Sequence, residues 1–155
     1  LPILCERCPL REDCVALRKG LTHVLPEPRP RAAIPTRKTV MLIIRWRRKL
    51  LLERRETAGV WGGLWSLPEV GHVRFGREFC ATHIGEPPVA QKALPALAHG
   101  FTHFRLQITP LMLDIGDDAH PRTLRSNKRW FTLAAALQAG IPTAVRKLIQ
   151  GLPAN

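Results

Sequence analysis

The chain has 155 residues, with 24 lysines and arginines against 12 acidic residues, and so a formal net charge of +12. This length is expected to hold one domain, or one small domain with an appended segment. An apolar content of 45% with 14 prolines fits a folded chain rich in turns. The clearest apolar run, Val40–Ile44, is far shorter than the roughly 20 residues of a membrane span, and a signal-peptide pattern is missing. We therefore expect a soluble intracellular protein whose charge favours a polyanion, nucleic acid first, as its partner.

The sequence predicts three stretches: a cysteine loop over residues 1–25, a linker over residues 26–38 and a compact α+β domain over residues 39–155. The linker contains four prolines and no apolar periodicity, which is typical of a stiff, extended segment. The first predicted elements are a helical turn at Val15–Lys19, a hairpin of Thr39–Arg45 and Lys49–Arg54, and a short strand within Gly62–Pro68. A helix is predicted at Arg74–His83, with Phe75, Phe79 and Cys80 facing inward. Two strands at Leu94–His99 and Arg105–Ile115, joined by a turn at Gly100–Phe104, are followed by a strand at Lys128–Phe131 and a helix at Thr143–Gln150.

Three cysteines lie close together near the start of the chain, in the spacing Cys5-x2-Cys8-x5-Cys14. In a chain without secretory features this clustering indicates metal ligation more than disulfides. Structural zinc and a [4Fe–4S] cluster both need four protein ligands. Cys80 stands inside an apolar pattern and is interpreted as a small buried hydrophobic residue. The set is therefore one ligand short, and since the chain begins with leucine we expect further sequence upstream.

The run from Cys5 to Cys14 resembles the end of the iron–sulfur loop of MutY-type adenine DNA glycosylases, whose pattern is C-x6-C-x2-C-x5-C. The resemblance implies that Cys5, Cys8 and Cys14 are the second, third and fourth ligands of a [4Fe–4S] cluster in a longer parent protein. The first ligand would fall seven residues before Cys5, outside this chain.

A second resemblance is to the Nudix box, G-x5-E-x7-R-E-U-x-E-E-x-G-U, where U is aliphatic. Gly63, Glu69 and Arg77–Glu78 match its first half in register, but Ala81 and Thr82 occupy the positions of the two following glutamates. Pyrophosphate hydrolysis needs Mg²⁺ held by several oxygen ligands, mainly carboxylates. Because Ala81 and Thr82 replace two of these carboxylates with a methyl and a hydroxyl group, we expect the Nudix fold without pyrophosphate hydrolysis.

The order of the matching segments is similar to the C-terminal part of MutY-type glycosylases. The matching segments are Leu51–Arg55, Gly59–Pro68, Gly100–Phe104 and Arg129–Phe131. The resemblance implies a Nudix-like mixed β-sheet flanked by helices over residues 39–155. It also implies a role in base-excision repair, in which the parent enzyme removes adenine mispaired with 8-oxoguanine and this part recognises the 8-oxoguanine strand.

The family's Phe-Ser-His loop is matched here by Phe101, Thr102 and His103. The resemblance implies that this loop inserts at 8-oxoguanine. The lesion gains an N–H donor at N7 and a carbonyl acceptor at C8, which a hydroxyl and a backbone N–H can bind. His103 can donate to a phosphate or hold the loop. From the residues alone, a Phe-x-x-Phe turn is equally explained by core packing with a solvated histidine.

No pair of carboxylates suited to base excision stands in the sequence, so we expect no catalytic residue here and no activity from the chain alone. In the family these parts belong to an N-terminal catalytic domain. The expected partners are that domain and double-stranded DNA containing 8-oxoguanine:adenine, contacted also by the ten basic residues between Arg29 and Arg55. A monomer without membrane association is expected, cytoplasmic and acting at the bacterial nucleoid.

Two other functions stay open on the sequence. One is a divergent Nudix pyrophosphohydrolase acting on damaged nucleotides. The other is a non-catalytic nucleic-acid-binding module whose three cysteines bind zinc with a ligand from outside the chain. The first would depend on Mg²⁺, and the second would lack the brown colour of an iron–sulfur protein.

Overall fold

The structure is a computed structural model that describes residues 4–25, 27, 33–122, 124 and 126–152. The chain divides into two compact units, Leu1–Ala33 and Ile34–Asn155. The first unit contains a 3₁₀ turn at Cys5–Arg7 and a four-residue helix, α1, at Val15–Arg18. Gly20 has φ +65°, a left-handed conformation that glycine adopts without steric cost. The short helix predicted at Val15 is confirmed.

The second unit is built on a mixed sheet. Its described strands are β1 (Thr36–Trp46), β2 (Lys49–Arg54), β3 (Trp65–Ser66), β4 (Glu69–Val70), β5 (Ala90–Ala93), β6 (Leu97–Gly100), β7 (Arg105–Asp114) and β8 (Lys128–Thr132). β1 and β7 run parallel at the centre, from the pair Thr36–Arg105 to the pair Arg45–Asp114. Their neighbours all pair antiparallel: β2 and β4 with β1, β5 and β6 with β7, and β3 and β8 with β2.

Helices cover both faces of the central strands. Met41 and Ile43 of β1 face a core that includes Ala136 of α3 (Leu133–Gln138) and the apolar side of α4 (Thr143–Gln150). Leu42 and Ile44 point to the other side, where Cys80 and Ile84 pack. These residues follow α2 (Phe75–Phe79) in a π-helical turn, Cys80–Ile84. Burial on both faces explains why β1 is a continuous apolar run without alternation.

The β1–β2 hairpin and α4 form where the sequence predicts them. A two-residue turn at Arg47 and Arg48 joins the hairpin strands, and both residues have positive φ. α4 follows Pro142, whose missing N–H costs nothing at a helix start, and ends at Gly151. The sequence predicted neither β5 nor α3. The Thr132 hydroxyl caps α3 by accepting a hydrogen bond from the Ala135 N–H at 3.2 Å.

Two predictions need correction. The linker predicted to run to Lys38 ends earlier, because Thr36–Lys38 already belong to β1 and pair with Arg105–Gln107. These residues pair with β7 through backbone hydrogen bonds, which need no apolar pattern in the sequence. Phe75 was predicted to face inward but is 38% exposed. Gly76 is buried in its place because its missing side chain lets Leu111 approach.

Candidate nucleic-acid interface

The candidate recognition residues lie in the turn between β6 and β7. The turn is closed by the Phe101 N–H, which donates to the Phe104 carbonyl at 2.8 Å. The rings of these two phenylalanines stack with centroids 4.4 Å apart and an interplanar angle of 21°. Thr102 and His103 are exposed at the tip, whereas both phenylalanines are half-buried. The turn therefore combines an exposed hydroxyl and imidazole with a packed aromatic base.

Aromatic and cationic side chains from three other segments surround that base. Trp61 lies 5.6 Å from Phe101, and His99 meets Phe101 edge-on at 4.8 Å, both measured between ring centroids. On the other side, the Arg37 guanidinium carbon is 4.6 Å from the centre of the Phe104 ring. The sequence analysis did not identify the contacts of Trp61 and Arg37 with the turn, because these contacts join segments at least 40 residues apart in the chain.

A cavity of about 230 Å³ opens beside the turn. Its walls are Arg37, Lys38, Thr39, Arg55, Val60, Trp61, Glu69, Phe104 and Leu106. Three of these residues are cations and two present aromatic rings, which is the combination that holds phosphates and stacks bases in nucleic-acid-binding proteins. The single carboxylate, Glu69, forms an ion pair with Arg55 and accepts a hydrogen bond from the Thr39 hydroxyl at 3.1 Å.

The Nudix-box residues do not assemble into a metal site. Glu69 is engaged by Arg55, Glu78 is exposed on α2, and Ala81 and Thr82 are exposed on the π-helical turn. Within the described residues, no three His, Cys, Asp or Glu side chains converge on one point. Of the box residues, Glu69 and Glu78 are therefore the carboxylates that could bind Mg²⁺.

The predicted cluster ligands lie in the first unit. Cys5 begins the 3₁₀ turn, Cys8 follows it and is exposed, and Cys14 precedes α1. Their thiol chemistry suits an iron–sulfur cluster, but among the described residues these three do not gather into a ligand group. Cluster ligation by these three cysteines stays a prediction. Cys80 is fully buried, and burial raises the pKa of its thiol from 9.0 to about 12 against the opposing effect of Arg77.

Part of the predicted basic surface lies outside the described residues. Arg29 and Arg31 of the predicted linker belong to that part, as does Arg125. Two described basic residues adjoin the turn: Arg37 contacts Phe104, and Arg105 follows it in the chain. They lie at or near the starts of the two central strands and are exposed. No helix in the described ranges is long and apolar enough to cross a membrane.

Comparison with known proteins defines the class. The NUDIX domain family matches residues 39–151, and since this is well over half of the chain, the chain belongs to that family. The sheet and its flanking helices match solved NUDIX structures, among them MutT from Methanosarcina mazei Go1, with a TM-score of 0.58 at 17% identity over 77% of this chain and 94% of that one. The α+β Nudix-like fold predicted from the sequence is confirmed.

Curated relatives of this chain include adenine DNA glycosylases. The enzyme from Buchnera aphidicola subsp. Schizaphis graminum is 20% identical over 94% of this chain and 42% of its own length. The enzyme from Buchnera aphidicola subsp. Baizongia pistaciae is 25% identical over 94% of this chain and 41% of its length. The chain thus spans about two-fifths of these relatives.

A solved structure points the same way. The C-terminal domain of mouse MUTYH, crystallised with human PCNA, has a TM-score of 0.63 and 21% identity over 73% of this chain and 84% of that one. The resemblance to the C-terminal part of MutY-type glycosylases is therefore confirmed.

Proposed function

We propose that this chain is the lesion-recognition part of an adenine DNA glycosylase and that the Phe101–His103 turn binds 8-oxoguanine opposite adenine. The observation that carries the proposal is the turn itself, with Thr102 and His103 exposed above a stacked pair of phenylalanines. A tip of this kind offers hydrogen-bonding groups without having to be ordered on binding, which saves conformational entropy.

The chemistry of the lesion suits this tip. The Thr102 hydroxyl accepts a hydrogen bond from N7–H of 8-oxoguanine, a donor that guanine lacks. His103 donates to a neighbouring phosphate, and Arg37 and Lys38 add charge along the cavity wall. The glycosylase names of the relatives support the proposal. Excision of the adenine belongs to the parent protein, and we expect the chain by itself to leave the glycosidic bond intact.

The parent protein would carry the [4Fe–4S] cluster, with Cys5, Cys8 and Cys14 as three of its ligands. Held there, the cluster would supply a structural crosslink and would take no part in lesion binding. Absorbance near 400 nm together with iron analysis of the parent tests this assignment, and a colourless protein that contains zinc would contradict it. We place the protein in the cytoplasm, where a repair enzyme meets bacterial DNA.

The rival function, hydrolysis of damaged nucleotides, is not favoured. Its metal would have to be held by Glu78 and by Glu69, and Glu69 is already paired with Arg55. Ala81 and Thr82 add no carboxylate. Magnesium-dependent release of pyrophosphate from 8-oxo-dGTP by the purified chain would restore this alternative.

Duplex binding tests the proposal directly. The affinity of the chain for an 8-oxoguanine:adenine duplex is compared with that for a guanine:adenine duplex of the same sequence at moderate salt. Thr102→Ala is expected to reduce the lesion preference about threefold to tenfold, the value of one hydrogen bond. The chain supplies a matched control in the exposed pair Thr82 and His83, whose alanine variants should leave the preference unchanged. Equal binding of both duplexes by the unmodified chain would refute the proposal.

A further inference from the structure

Trp61 has a backbone conformation that is rare for a bulky residue. Its φ is +60°, in the left-handed region where a side chain crowds the backbone. The surrounding loop holds it there: the Gly62 N–H donates to the Gly59 carbonyl at 3.3 Å, and the Leu64 N–H donates to the Trp61 carbonyl at 3.1 Å. Such strained positions are concentrated where structure serves function.

Gly62 shows how tightly this loop folds back on itself. A Cβ at position 62 would lie 2.1 Å from the Thr57 carbonyl oxygen, a backbone atom that cannot move aside alone. Only glycine therefore allows the loop to close over Thr57. The closed loop aims the Trp61 ring toward the end of β6 and the recognition turn.

The Trp61 ring contacts the turn at its first residue. Its centroid is 5.6 Å from Phe101 and 5.8 Å from His99, so one indole packs on both the last strand residues and the turn. Phe101 in turn stacks on Phe104, and Arg37 lies over the outer face of Phe104. The two phenylalanines of the turn are thus enclosed between an indole and a guanidinium.

We propose that Trp61 is a positioning residue that holds the Phe-Thr-His turn in its binding conformation. This inference rests on the proposed function, because it assigns a role in lesion recognition to a residue outside the turn. Removing the indole leaves Phe101 without its largest neighbour, so the tip must be ordered when DNA binds. The cost of ordering the tip lowers the affinity for the lesion, because lesion recognition needs the tip. It does not change the attraction to phosphates, because that attraction depends on charge.

The test compares three variants of the full chain. Trp61→Leu removes the aromatic face, Trp61→Phe keeps one, and Trp130→Leu is the matched control, since Trp130 is also half-buried and packs on another ring, that of Trp46 at 5.5 Å. Affinities for the 8-oxoguanine:adenine and guanine:adenine duplexes are measured at equal salt. We expect Trp61→Leu to lower the lesion preference about fivefold to tenfold while guanine:adenine binding is unchanged. Trp61→Phe should restore most of the preference, and Trp130→Leu should retain it.

Amide exchange of Phe101, whose N–H closes the turn on the Phe104 carbonyl at 2.8 Å, gives a readout in the free protein that does not involve DNA. Faster exchange in Trp61→Leu than in Trp130→Leu is expected. Equal exchange, or a loss of affinity for both duplexes to the same extent, would overturn the positioning role. If the unmodified chain shows no lesion preference while exchange responds to Trp61, the proposed function fails and the positioning of the turn still stands.

Discussion

The turn of the β1–β2 hairpin places two arginines in a left-handed backbone conformation, with φ of +45° at Arg47 and +61° at Arg48. Two-residue hairpin turns require positive φ because their twist must match that of the strands, and Asn-Gly is the preferred pair. A residue with a Cβ loses about 1–2 kcal/mol in this region. The described residues give the Arg48 side chain no hydrogen bond or ion pair to offset this loss.

Arg48→Gly is therefore expected to stabilise the fold. Relief of about 1–2 kcal/mol is reduced by about 0.5–1 kcal/mol for the extra freedom of glycine in the unfolded chain. The net gain is about 0.5–1 kcal/mol, which corresponds to a rise in Tm of about 2 °C at this chain length. Arg47→Gly should gain nothing. It also removes the hydrogen bond from Arg47 Nε to the Asp117 carbonyl at 2.9 Å and the stacking on Trp46 at 4.9 Å, each worth about 0.5–1 kcal/mol.

Equilibrium unfolding in urea and a thermal scan measure both variants. Lys49→Gly is the control, because Lys49 already lies in β2 and glycine in a strand costs about 0.5–1 kcal/mol. The expected order of stability is Arg48→Gly above the unmodified chain, with Arg47→Gly and Lys49→Gly both below it. A neutral or destabilising Arg48→Gly would refute the assignment of strain to this turn.

Three further predictions concern the core and the incomplete Nudix box. A thiol reagent should label Cys80 only after unfolding. The pKa of the Cys80 thiol is raised from 9.0 to about 12. The contribution of this thiol to the free energy of unfolding is therefore complete below pH 9 and is lost as pH rises from 9 toward 12. Unfolding measured over a pH series, compared with Cys80→Ala, would show this loss. Gly76→Ala should destabilise by about 1 kcal/mol in urea unfolding, because overpacking against Leu111 Cδ2, 2.6 Å from the new Cβ, outweighs the helix propensity gained. Mg²⁺ should leave Tm unchanged, and a rise that Glu69→Gln abolishes would contradict this.

The local elements could be predicted because their signals lie within a few residues. The β1–β2 hairpin and α4 each combine an apolar pattern with a turn or capping residue. The pairing of β1 with β7 joins residues about 70 positions apart, and neither strand alone indicates whether it is parallel. α3 was missed because it begins directly after β8, with only Thr132 as its cap.

The site was predictable only in part for the same reason. Thr102 and His103 became candidates through the resemblance to the family's Phe-Ser-His loop, and the structure places both at an exposed tip. The contacts that Trp61 and Arg37 make with the turn could not be predicted, since both residues lie 40 or more positions away from it in the chain. Positive φ at Trp61 reflects closure of the glycine loop and has no signal in a single sequence.

The parallel pairing of β1 with β7 also determines where the chain enters the domain. The Arg105 N–H, which follows the Phe101–Phe104 turn, donates to the Pro35 carbonyl at 2.9 Å, just before β1 begins. The backbone at Pro35 is thus one hydrogen bond away from the residue that follows the Phe101–Phe104 turn. Since Arg105 is also the first residue of β7, the start of β1 and the base of the turn are held in place by the same backbone contact.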